Sequence, residues 1–194
     1  FASSRRILSI PKEGVCVTDL TPICALGAPA PRSARHGALH LRECPEVALA
    51  SLAARRGAAP CALTLPEPGH WAASGDMTVF WTGPDQWLVE APGRAETDVA
   101  AALADLAPGW SVTEQTDGWT LIEAEGPVAA LLERCVNLDP ARLAPGCAAR
   151  TMIEHMPVHL LRRTDSRLAI WGMRSSAESL WHALDTIARR IAAT

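Results

Sequence analysis

The sequence contains no tyrosine and only two phenylalanines, Phe1 and Phe80, so its seven tryptophans supply most of the aromatic surface. A single lysine, Lys12, stands beside seventeen arginines, which excludes a lysine Schiff base anywhere beyond that position. No apolar run reaches the ~18 residues that a transmembrane helix needs. The first fourteen residues have no apolar stretch before Pro11, so they do not read as a secretory signal. A net charge of −3 leaves no electrostatic footprint for nucleic acid or an anionic membrane. No glycine-rich phosphate loop and no serine-nucleophile elbow occurs. None of the six cysteines forms a C-x-x-C pair, which points to free, mostly buried thiols in a cytoplasmic protein.

What is present is a soundly apolar chain: 48% of 194 residues, enough for one domain or two small fused ones. Val79–Pro92 reads VFWTGPDQWLVEAP. Gly83-Pro84-Asp85 marks a turn between two β-rich flanks, predicting a hairpin that carries Trp81 and Trp87. Strands are expected near 38–42, 61–65, 110–116, 119–125, 149–155, 158–163 and 167–171. Helices are expected at 45–55, 94–106, 127–135 and 175–191. The Asp117-Gly118 pair predicts a tight hairpin between the strands on either side.

These elements repeat. Pro45 and Pro127 both open a helix and lie 82 positions apart, as do Ala95-Glu96 and Ala177-Glu178. The expected fold is therefore α+β: duplicated βαβββα units, ferredoxin-like, with antiparallel or mixed sheets and helices on one face. The expected organisation is an extended arm over 1–36, a first unit over 37–116 and a second over 117–194, the two packed as one body.

Candidate chemistry is sparse. His36/His40 and His155/His159 have four-residue spacing, but in extended chain this separates Cα atoms by ~13 Å, too far for one metal ion. Asp117 is a possible acid, although a turn aspartate before glycine needs no further role. Trp87, Trp171 and Trp181 are candidate interface residues, because tryptophan is enriched at the energetic centres of interfaces.

Several segments resemble the gamma subunit family of heterotetrameric sarcosine oxidase. They are LHLRECPE at 39–46, TVFWTGPDQWLVEAP at 78–92, TDGWTLIEAEGPVAALLERCVNLD at 116–139, LAPGCAARTMIEHMPVHLLRR at 143–163 and LAIWGMRSSAESLWHAL at 168–184. That family is distantly similar to the folate-binding fold of the glycine-cleavage aminomethyltransferase. The resemblance implies a non-catalytic subunit supporting assembly of a flavin-dependent N-methyl amino acid oxidase linked to tetrahydrofolate. It implies alpha, beta and delta subunits as partners, with FAD, FMN, NAD, zinc and tetrahydrofolate held by those partners. No catalytic residue and no metal ligand is expected in this chain.

The alternative is a stand-alone folate-binding protein or one-carbon (aminomethyl) transferase. In that case Asp117 would be the acid, and Trp81 or Trp119 would stack on a pterin.

Overall fold

The structure, a computed structural model, describes residues 22–193. Eleven strands and three α-helices are described in chain order. They are β1 (Ser33–His36), β2 (Leu39–Glu43), β3 (Val47–Ala53), β4 (Trp71–Ser74), β5 (Met77–Gly83), β6 (Gln86–Pro92) and α1 (Val99–Leu106). Then follow β7 (Ser111–Glu114), β8 (Trp119–Glu125), α2 (Val128–Cys135), β9 (Ala148–Ile153), β10 (Met156–Thr164), β11 (Arg167–Met173) and α3 (Ala177–Ala192).

The strands form two antiparallel sheets. One has the order β1-β2-β8-β11-β10-β9 and the other β4-β5-β6-β3-β7. Alternation along each strand sends side chains to two faces. In β11, Leu168 and Ile170 join one core with α2 and α3, while Ala169 and Trp171 face the other sheet. In β5, Val79 packs towards α1 and Phe80 packs into the layer between the sheets. The result is four layers, with helices on the outer face of each sheet and an inter-sheet core at the centre.

The duplication is visible in strand order. The run β3-β4-β5-β6-α1 matches β8-β9-β10-β11-α3, and in each sheet the first strand of the run pairs with its last. The strand ahead of each run crosses over: β2 pairs with β8, and β7 pairs with β3. The six-stranded sheet is thus completed by β1 and β2, which precede the first run, and the five-stranded sheet by β7, which precedes the second.

Several sequence expectations change. Residues 45–55 do not form a helix; they include β3, at the centre of its sheet between β6 and β7. Ala48, Leu49, Ala50 and Leu52 are all buried, so both faces are covered and alternation is erased. The first repeat therefore lacks the helix expected after its first strand, and 54–70 runs irregularly where the second repeat has α2. The 82-residue equivalences do not survive: Pro45 precedes a strand and Pro127 a helix, and α1 begins three residues after Glu96. The expected strand at 61–65 is irregular chain whose Leu63 covers the α1 core.

Thr116–Gly118 is a single 3-10 turn rather than a hairpin, because β7 and β8 belong to different sheets. The hairpin between β9 and β10 instead turns at Glu154-His155, both with positive φ (44° and 71°), the backbone of a two-residue mirror turn. Within the expected arm, Ser33–His36 is β1 and Leu26 is buried; residues 1–21 lie outside the described residues. No helix among the described residues is long and apolar enough to cross a membrane.

Candidate functional site

The inter-sheet layer is apolar at its centre, with Phe80, Leu88, Leu121, Leu161 and Trp171. One charged group is built into it. Glu90, on β6 and 1% exposed, accepts the indole N–H of Trp171 and a bond from Arg163 Nη2 at 2.6 Å. The Arg163 guanidinium lies over the Trp71 ring, and Trp71 Nε1 donates to the Arg162 carbonyl at 2.9 Å. Both oxygens of this carboxylate are engaged in joining the sheets, so it is not free for chemistry.

Asp117 and Trp119 come together at one end of this layer. They line a cavity of about 480 Å³ between the Pro22–Pro29 segment, β2, β8 and the chain before α1. The Thr116–Gly118 turn exposes Asp117 at the mouth, and Trp119 forms a wall as β8 begins. Glu46 and Glu96 add exposed carboxylates, and Arg174 donates to the Ile23 carbonyl at 3.0 Å. Glu43, fully buried, accepts from the backbone N–H groups of Leu26 and Arg32 at 3.0 Å each. It fixes the segment that roofs the cavity. Such an acidic mouth favours cations over anions.

Trp81 is not part of this site. It lies opposite Trp87 in the β5–β6 hairpin and points, like Val79, towards the α1 face. Of the three interface candidates, Trp171 and Trp181 are 1% and 5% exposed within the chain itself, and neither ring is available to a partner on its surface. They also sit on opposite faces of their sheet. Trp87 is half-buried, with its ring 5.8 Å from that of Trp110 and its Nε1 donating to the Pro66 carbonyl.

Nucleophilic and metal chemistry find little support among the described residues. Burial pushes the Cys44 thiol up to about 12, aided by the Glu123 carboxylate, and burial does the same to Cys135. Neither supplies a thiolate near neutrality. No group of three or more potential metal ligands assembles among the described residues. His36 is held by Asp185 at 2.7 Å and His40 by Ser33 at 2.7 Å.

Of the two groups that shape the layer most, sequence reasoning missed Glu90 and weighed His159 only as half of a metal-binding pair. Glu90 breaks the apolar run LVEAP, which is the signal that could have found it. His159 is 7% exposed between the rings of Phe80 and Trp119, at 5.7 and 5.3 Å.

Comparison with known proteins identifies the fold. A chain of the heterotetrameric sarcosine oxidase from Corynebacterium sp. U-96, solved with pyrrole 2-carboxylate, superposes with a TM-score of 0.70 over 83% of this chain and 89% of that one, at 23% identity. The sarcosine oxidase subunit gamma of Corynebacterium sp. strain P-1 is 33% identical over 111 residues, 55% of this chain. The chain is similar to a sarcosine oxidase gamma subunit. The aligned part spans about half the length, 54%, of that relative. The glycine cleavage system aminomethyltransferase T of Bartonella henselae shares the fold more distantly, with a TM-score of 0.58 at 15% identity, covering 80% of this chain and 50% of that one. No family model matches.

Proposed function

We propose that this chain is the non-catalytic gamma subunit of a heterotetrameric, flavin-dependent sarcosine (N-methyl amino acid) oxidase. The observation that carries this reading is the 33% identity over 111 residues to a subunit of that name. The fold shared with a chain of a heterotetrameric sarcosine oxidase agrees with it. The interior supports it as well. Glu90 and Glu43 are both committed to holding elements together, and the Cys44 and Cys135 thiols are held protonated. On this reading alpha, beta and delta subunits are the partners and hold the flavins, NAD, zinc and tetrahydrofolate, in the cytoplasm. The chain contributes folded surface, with Trp87 as a candidate contact.

The folate-binding alternative would use Asp117 and Trp119, with Trp81. The cavity at Asp117 has the exposed carboxylates of Asp117 and Glu96 at its mouth, beside Glu46, which is paired with Arg42; these disfavour the carboxylate tail of a folate, and Trp81 lies elsewhere. Co-expression with the neighbouring oxidase genes tests the reading. The expected result is co-elution of the chain with flavin absorbance in size-exclusion chromatography. A chain that elutes alone and binds tetrahydrofolate as a monomer refutes it.

A further inference from the structure

A second concave site lies on the other side of Trp119, which lines both, and its chemistry is the reverse of the first. It encloses about 470 Å³, within the range of small-molecule sites, and no aspartate or glutamate lines it. Its floor on the six-stranded sheet is built by Arg150, His159 and Trp119. Arg150 and His159 are directly paired across β9 and β10, so both project to the same face. The opposite wall is the inner face of β3 and β7, where Ser51 and Thr113 pair directly and Gln115 follows. On this face apolar packing gives way to polar side chains, although it lies on the same side as the buried Leu49.

The donors here are unused. His159 is 93% buried by its 7% exposure, yet among the described residues neither ring nitrogen has a hydrogen-bond partner; its contacts are the rings of Phe80 and Trp119. No side-chain nitrogen or oxygen among the described residues is both fully enclosed and unpartnered. The His159 nitrogens therefore open into the cavity. Trp119 Nε1 and the Arg150 guanidinium also have no hydrogen-bond or ion-pair partner among the described residues. His159 is largely desolvated, so a ligand that pairs with its ring relieves the cost of leaving it without a partner, and the exposed Arg150 guanidinium adds a charged donor beside it. Burial, with Arg150 alongside, pulls the His159 imidazole down to about 4, so near neutrality it is uncharged and presents one donor and one acceptor.

From this arrangement we infer that the cavity binds a small planar anion, a carboxylate carried on an aromatic or conjugated ring. Arg150 takes the carboxylate as a two-pronged donor. The ring lies against Trp119, and His159 donates to the same carboxylate or to a ring substituent. A small molecule fits better than a partner's side chain. The polar groups line a concavity rather than a flat patch, and the most buried of them, His159, lies at its floor.

The test uses the full 194-residue chain and benzoate as the probe, by calorimetric titration at pH 7 together with the indole N–H signals of its tryptophans. Saturable binding of benzoate is expected, with a shift of the Trp119 Nε1–H resonance. Arg150→Ala, at an exposed position that leaves the core intact, should weaken binding by ~10-fold or more, and Arg150→Lys by less. Benzamide, planar but neutral, and cyclohexanecarboxylate, anionic but not planar, should each bind more weakly than benzoate. Absence of saturable benzoate binding at ~10 mM overturns the inference. So does affinity unchanged by Arg150→Ala, or a shift confined to tryptophans other than Trp119. Loss of subunit association in Arg150→Ala, with no benzoate binding by the free chain, would assign the surface to a protein partner and also overturn it.

Discussion

Trp171 donates its indole N–H to the buried carboxylate of Glu90, and so ties the six-stranded sheet to the five-stranded one across the layer between them. The two residues sit on β11 and β6, the matching strands of the duplicated runs. Arg163 on β10 completes the link from the six-stranded side. Arg163→Ala is expected to destabilise the chain by ~3–5 kcal/mol, because it strands an uncompensated buried charge. Glu90→Gln should cost less, since the amide oxygen still accepts from Trp171. Urea unfolding of both variants checks this ranking, and equal losses would refute it.

Gly126 stands where β8 turns into α2, with φ of +122°. A Cβ there would collide with the backbone carbonyl of Ala38, a group that has no flexible side chain to move aside. Gly126→Ala should therefore cost ~2 kcal/mol or more, from strain and overpacking together. Gly57→Ala shares the positive φ (+78°) but has open space around it, and serves as the control. Thermal midpoints that fall equally in both variants would show that the collision has no weight.

His159 makes stability depend on pH. Its folded pKa, about 4, lies below the ordinary 6.5, so between those values the unfolded chain binds more protons. Stability from this group is complete above pH ~6.5 and falls as pH drops towards 4, by at most ~1.4 kcal/mol per unit. His159→Phe should flatten the profile in that window. Denaturant midpoints measured from pH 4.5 to 7.5 decide it, and an unchanged slope in the variant rules the assignment out.

Glu43 anchors the chain entering β1 through the amides of Leu26 and Arg32. Glu43→Gln keeps the side-chain size but leaves one acceptor oxygen for two amides, so one bond is lost and an N–H faces the new NH2, at a cost of roughly 1–3 kcal/mol. Amide exchange at Leu26 should accelerate while exchange at Ile170, in the centre of a sheet, stays slow. Uniform acceleration would mean that the whole fold depends on Glu43.

Trp87→Ala separates two jobs. The half-buried ring contacts Trp110 and the core under α1, so its loss should cost ~3 kcal/mol in the isolated chain. An isolated variant as stable as the parent, with impaired association to its partners, would make Trp87 an interface anchor instead.

The hairpin around Gly83-Pro84-Asp85 was legible because its turn and its alternation agree; Asp85 takes a positive φ of 56° there. α2 was legible from Pro127 at its start, and α3 from the apolar stripe of Leu180, Leu184 and Ile187. β3 was not: its alanine-rich run is covered on both faces, and the period that distinguishes strand from helix is absent from such a segment. The turn at Glu154-His155 was also hidden, because the two-residue mirror turn is signalled by glycine, asparagine or aspartate, and neither residue is one of these. Asp117-Gly118 misled for the opposite reason, since a local turn signal says nothing about which strand each flank will pair with.

The sequence by itself determined the α+β class, most of the strands and a likeness to sarcosine oxidase gamma subunits, and it pointed to a duplication whose register the structure changed. All of these are written in local periodicity and in short ordered motifs. Only the tertiary structure decided that β2 and β7 cross between the two sheets, that Glu90 is enclosed beside Trp171, and that Trp119 separates an acidic cavity from a donor-lined one. Those facts depend on pairing between residues tens of positions apart. Such pairings follow from which faces can be buried together, a property of the whole chain that no local window contains.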